Sequence, residues 1–191
     1  TSGGELVTLT GSGFGPVVDA NLVNASYVNW ALSWLSELAG SVFSAPQCNV
    51  TTHDVEIVCQ SSPGVGFDQK WSLTVGDQRV SSTWTTSYTA PQIEALNPSV
   101  NTFSTRGGDL LTLIGTNFGP VRADNEVSAW YGNSALRNLA GTTFNATNCT
   151  VITADVQMRC EVAPGVGHKQ HWWVRVGTQA SGWSPLQTRY A

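Results

Sequence analysis

Two stretches of the chain alternate apolar and polar residues in the same way. In residues 1–16 (TSGGELVTLTGSGFGP) Val7 and Leu9 alternate with Thr8 and Thr10, and in residues 105–120 (TRGGDLLTLIGTNFGP) Leu111 and Leu113 flank Thr112. A period of two predicts a half-buried β-strand, because successive side chains on a strand point to opposite faces. A glycine-rich corner follows each strand: Gly11, Gly13 and Gly15 around Phe14, then Gly115 and Gly119 around Phe118. Glycine permits the angles of such a corner, and Pro16 and Pro120 stop further sheet pairing. Phe14 and Phe118 are expected to plug the edge of a sandwich.

The same period returns further along. Val55, Ile57 and Cys59 alternate with Glu56 and Val58, as Val156, Met158 and Cys160 do with Gln157 and Arg159, so the second cysteine of each half faces a core. Pro63-Gly64-Val65-Gly66 and Pro164-Gly165-Val166-Gly167 are turns. After them Trp71, Leu73 and Val75 match Trp172, Val174 and Val176, and Gly76 and Gly177 end those strands. A last strand runs towards Tyr88 and Tyr190. Between the halves, Ile93 and Leu96 make residues 91–98 an opening strand for the second half rather than a linker. Thr1 aligns with Thr105, so the first half has no counterpart of 91–104, and Ala191 aligns with Ala90, where another such strand would begin. Both ends therefore look like cuts within a longer array.

A repeat of about a hundred residues in a chain of 191 sets two domains, 1–90 and 91–191. The offset between copies is 104 at Pro16 and Pro120 and 101 at the cysteines. The three-residue difference is expected in the polar connection 17–24, which matches Trp30-Ala31 to Tyr131-Gly132. Residues 30–43 have helical apolar spacing at Trp30, Trp34, Leu35 and Leu38 that the second copy loses at Gly132 and Asn133, so a loop with at most one helical turn is expected there.

Cysteine usage sharpens the picture. Cys48 and Cys59 lie 11 residues apart in one half, and Cys149 and Cys160 lie 11 apart in the other. Neither pair has the C-x-x-C spacing of a zinc site, so one disulfide per domain is expected, and with it an oxidising compartment. Only 12% of residues are charged and the net charge is -4, which leaves solubility to Ser, Thr, Asn and Gln or to added sugar and gives nucleic acid no basic surface. No run of eighteen apolar residues and no basic-then-apolar leader is present, so the sequence has the look of a mature or excised segment with no direct membrane insertion.

The order of these pieces is more specific than any one of them. Pro91-x-Ile93 and Pro98, then Gly107-Gly108-x-Leu110-x-Thr112-Leu113-x-Gly115-x-Asn117-Phe118-Gly119, the cysteine pair, Pro164-Gly165-x-Gly167 and Val174-x-Val176-Gly177 together resemble the IPT/TIG family of immunoglobulin-like domains, over nearly all of the chain and twice. The resemblance implies an all-β architecture of two tandem early-set immunoglobulin-like sandwiches, the first lacking its opening strand. It also implies a spacer or binding module of the kind found in receptor stalks and tandem-array surface proteins. Fold does not fix function.

Candidate chemistry is sparse. His168-x-x-His171 is the one metal-like pattern, but three residues apart on a strand places the two on opposite faces, and the first copy has Phe67 and Lys70 there. Asp19, Asp124 and Asn125 lack calcium-loop spacing and suit ordinary turns. His53, His168 and His171 sit in no nucleophile-elbow context, so neither an enzyme nor a cofactor is expected. Of eight tryptophans, Trp71 and Trp172 fall on the core face, leaving Trp84, Trp173 and Trp183 as candidates for exposed contacts with a glycan or protein. The strongest signals are the N-x-S/T sequons at Asn24, Asn49, Asn145 and Asn148, the last with a cysteine at its centre, read here as N-glycan sites rather than bare loop asparagines. Together these features predict a structural segment of a secreted or cell-surface glycosylated array, a stalk, coat or filament. Its partners would be neighbouring IPT/TIG domains or identical subunits. The other reading is an adhesion or recognition module.

Overall fold

The alternating stretches form paired strands. A computed structural model describes residues 1–17, 23–29, 42–98, 102–122, 126–136 and 141–191, and these separate into the units Ser2–Tyr88 and Thr89–Ala191. The first unit contains β1 (Leu6–Thr10), β2 (Val23–Asn29), β3 (Val42–Ala45), β4 (Asn49–Thr52), β5 (Glu56–Gln60), β6 (Gln69–Val75) and β7 (Gln78–Thr86). They build two sheets, β1-β5-β4 and β3-β2-β6-β7. Their inner faces meet in one core of Leu9, Tyr27, Phe43, Ile57, Cys59, Trp71 and Leu73. Register explains the pattern, since Leu9 pairs with Ile57 and Val7 with Cys59, and side chains directly opposite share a face.

The second unit repeats this plan and adds to it. Its strands are β8 (Gln92–Asn97), β9 (Thr102–Phe103), β10 (Leu110–Thr116), β11 (Val127–Asn133), β12 (Thr143–Asn145), β13 (Thr147–Thr153), β14 (Gln157–Glu161), β15 (Gln170–Val176), β16 (Gln179–Ala180) and β17 (Gln187–Tyr190). One sheet runs β13-β14-β10-β8, the other β12-β11-β15-β17-β9 with β16 beside β15. Leu111, Leu113, Met158, Cys160, Trp172 and Val174 are fully buried between them. The chain is thus all-β, two immunoglobulin-like sandwiches with one disulfide each, Cys48–Cys59 and Cys149–Cys160.

Three sequence expectations change. Tyr27, not Trp30, is the counterpart of Tyr131, for Tyr27 pairs with Trp71 and Phe43 as Tyr131 does with Trp172 and Phe144. The offset of 104 therefore persists through β2 and β11. The three extra residues of the first copy fall after β2, between Asn29 and Val42, instead of in 17–24. The core decides this, because each sandwich needs a tyrosine against its buried tryptophan and a nearby Trp in the sequence mimics it. Val55 and Val156, expected inside, are exposed: each closes a tight hairpin, its N–H donating to the carbonyl of Thr52 or Thr153 at 3.1 Å. His168 lies in the turn before β15 and not on the strand with His171. The proposed loop at 30–43 lies mostly outside the described residues, as do Asp19, Asp124 and Asn125, while the second unit has a 3-10 turn at Ser134–Leu136.

Candidate functional site

The disulfides lie within one sheet of each sandwich. Cys59 and Cys160 are fully buried on β5 and β14, and their partners come from the neighbouring strand's start or bulge. All four sequon asparagines are exposed. Asn24 lies on the outward side of β2, between positions whose neighbours Ala25 and Tyr27 are buried. Asn49 opens β4 and Asn145 ends β12. Asn148 sits in the β13 bulge at φ 51, and its Nδ2 donates to Glu161 Oε2 at 2.8 Å. That hydrogen bond uses one of the two Nδ2 hydrogens, and a sugar would replace the other.

The tryptophans divide as alternation requires. Trp71 and Trp172 are buried against Tyr27 and Tyr131, with ring centroids 4.4 and 4.2 Å apart. Trp173, the next residue on β15, points outward and packs on two further rings: Trp183 at 4.1 Å and Trp130 at 6.0 Å, the latter stacked within 19°. His171 meets the edge of Trp183, and its Nδ1 contacts the Ser184 carbonyl at 2.8 Å. Trp173 and Trp183 are thus brought together. Trp130 was missed from sequence, because its neighbour Tyr131 takes the core position and only strand register sets Trp130 opposite Trp173. Trp84, 38% exposed on β7, belongs to the first unit.

Trp84 has a different setting. It lines a cleft of about 430 Å³ in the first unit with Leu9, Phe14, Leu73, Val75 and Val80. The cleft lies beside β1, an edge strand of its sheet. In the second unit the equivalent strand, β10, carries β8 along that side. Leu113 pairs with Leu96 and Gly115 with Ile93. Ile93 and Leu96 are buried, and β8 also packs against β15, the counterpart of β6. Where β8 is present Gly115 and Val176 are buried; the matching Gly11 is exposed and Val75 half-buried.

At the other end of each core two phenols meet. Tyr27 and Tyr88 hydroxyls are 2.6 Å apart, as are those of Tyr131 and Tyr190, and Tyr88 and Tyr190 donate to the carbonyls of Ser62 and Ala163. Burial raises the pKa of all four above the ordinary tyrosine value, and the partner phenol pushes Tyr88 and Tyr131 up further. They are neutral structural clasps. Among the described residues no group of three His, Cys, Asp or Glu could hold a metal ion.

A sequence profile described as IPT/TIG domain matches residues 91–190, just over half of the chain. No curated protein matches by sequence. Among solved structures, the plexin A4 extracellular region (domains 1 to 8) gives a TM-score of 0.43 at 14% identity, over 100% of this chain and 17% of that one. A second plexin A4 extracellular structure (domains 1 to 10) gives 0.35 at 18%, over 90% and 13%. SGBP-B from a complex xyloglucan utilization locus in Bacteroides uniformis gives 0.36 at 11%, over 98% and 45%. The chain spans less than half the length of each of these proteins, and its family assignment rests on the sequence match alone.

Proposed function

This chain belongs to the IPT/TIG family of immunoglobulin-like domains, and on that premise we propose that it is a structural spacer within a secreted or cell-surface glycosylated tandem-repeat protein, part of a stalk, coat or filament. One observation carries the reading: one sandwich plan, with its own disulfide and its own tyrosine pair, is built twice in tandem, and β1 of the first copy presents the edge and apolar cleft that β8 covers in the second. A bare edge offers unpaired N–H and C=O groups to any extended segment. A strand of the β8 kind, with the Pro-x-Ile-x-x-Leu pattern of residues 91–96, would run antiparallel to β1. Its Leu would lie opposite Leu9 and its Ile opposite Gly11. Burying two such side chains is worth about 1.5–3 kcal/mol each. A neighbouring repeat or an identical subunit would supply the strand, which links modules end to end.

Other features agree with this. Two disulfides suit an oxidising compartment, and four exposed sequons suit a sugar-coated surface. The net charge of -4 gives no electrostatic drive towards nucleic acid, and the polar clusters described above contain no nucleophile poised beside a base.

The test is a peptide of sequence 91–98 added to the 191-residue chain. Slower exchange of the outward β1 amides and a higher melting temperature are expected. A chain that is monomeric, whose β1 amides are already as protected as those of β10 and ignore the peptide, sinks the proposal. A second reading, recognition of a glycan or protein ligand, is favoured by the row of half-buried Trp130 and Trp173 with exposed Trp183. A glycan array and a cell-surface extract with no binding partner would remove it.

A further inference from the structure

We propose that the outer face of the second domain is a platform for its own glycan: the N-linked sugar on Asn145 folds back onto the row Trp130, Trp173 and Trp183. The inference rests on the reading that this chain is glycosylated, and it assigns the row a resident occupant.

Register places the attachment point and the rings in one line. Asn145 on β12 pairs with Trp130 on β11, and Trp130 pairs with Trp173 on β15. Residues directly opposite share a face, so all three side chains project from the same side of the sheet. It is the outer side, because the alternating neighbours Tyr131 and Trp172 are fully buried. With strands about 4.8 Å apart, the line from Asn145 to Trp173 is roughly 10 Å long. Trp183 extends it, packed on Trp173 at 4.1 Å and still 36% exposed. The first sugars of a chain anchored at one end of this line have the aromatic faces within reach. A pyranose ring carries one face of C–H bonds, apolar and slightly positive. That face suits the negative face of an indole.

The first unit supplies an internal comparison. Its matching line reads Ser44, Ser26, Ser72, Ser81, paired across β3, β2, β6 and β7. The same sandwich therefore forms with serine at the places of Asn145, Trp130 and Trp173. Packing does not demand the tryptophans. On this line, rings and sequon are present together in the second unit and absent together from the first, where Ser44 stands in the place of Asn145. A role that needs both accounts for the pairing.

The experiment uses the full chain made in a eukaryotic secretory host with a uniform N-glycan. Glycopeptide mass first reports occupancy of each sequon. Proton NMR of the intact glycoprotein should then show the innermost sugar signals of Asn145 shifted upfield by the indole ring currents, with those of Asn24 unshifted. Trp130→Ser with Trp173→Ser, the residues the first unit already carries, should return the signals to ordinary positions and speed endoglycosidase release at Asn145 by about tenfold or more. An empty Asn145 overturns the premise and the proposal together. An occupied Asn145 with unshifted signals and Trp-independent release overturns the proposal and leaves the glycoprotein reading standing. So does a chain in which Asn145→Gln binds free chitobiose on the row while the native sugar shows no shift, for the row would then serve outside glycans.

Discussion

All four tyrosines of this protein sit in the two hydroxyl pairs, which makes them a direct reporter of the cores. Burial favours the neutral phenol and raises each pKa in the folded state, whereas an unfolded tyrosine ionises near pH 10. The sign follows from linkage: with the folded pKa above the unfolded one, the contribution is complete below about pH 10 and is lost as pH rises beyond it. Ultraviolet titration should show no ordinary phenol step near pH 10, and tyrosinate should appear only together with loss of circular dichroism. Two or more phenols ionising near pH 10 in a chain that stays folded would contradict the clasp. These residues also show what a sequence hides at this scale. Tyr88 and Tyr190 end the last strands that the sequence predicts, but their partners are not legible there, because Tyr27 and Tyr131 reach them over the intervening strand of the same sheet, β6 or β15.

At the level of the strand, β1 and β10 have nearly the same sequence and different neighbours. A Cβ on Gly115 would lie 1.9 Å from the Gln92 carbonyl oxygen of β8, whereas one on Gly11 would meet only the Phe14 ring, at 2.6 Å. Gly115→Ala should therefore displace β8, costing roughly 1–3 kcal/mol and accelerating amide exchange along Gln92–Asn97. Gly11→Ala should cost less in the isolated chain yet abolish the response to the 91–98 peptide. Equal losses in both variants would show that β8 does not set the glycine. The strand β8 was legible in Ile93 and Leu96. Two-residue β9 was not, since its parallel pairing with β17 leaves no period in the chain.

For the molecule as a whole, each sandwich has a modest core and one disulfide whose short loop restrains the unfolded chain by roughly 2.8 kcal/mol. Replacing Cys48 and Cys59 by alanine should lower the urea stability of the first unit by about that amount, and replacing Cys149 and Cys160 should act on the second. Calorimetry with each variant checks this: the mutated unit's transition should move and the other should stay. A common shift of both would mean that the two units do not unfold as separate bodies. By itself the sequence determined the all-β class, the tandem repeat, the cysteine pairs and the strand faces, because a period of two and a fixed spacing are properties of the chain alone. Tertiary structure decided which tyrosine enters each core, that Val55 and Val156 close turns, and that Trp130, Trp173 and Asn145 stand in one line. Those facts depend on which strands lie side by side and in what register, and pairing between distant segments is settled only when both sheets close over their core.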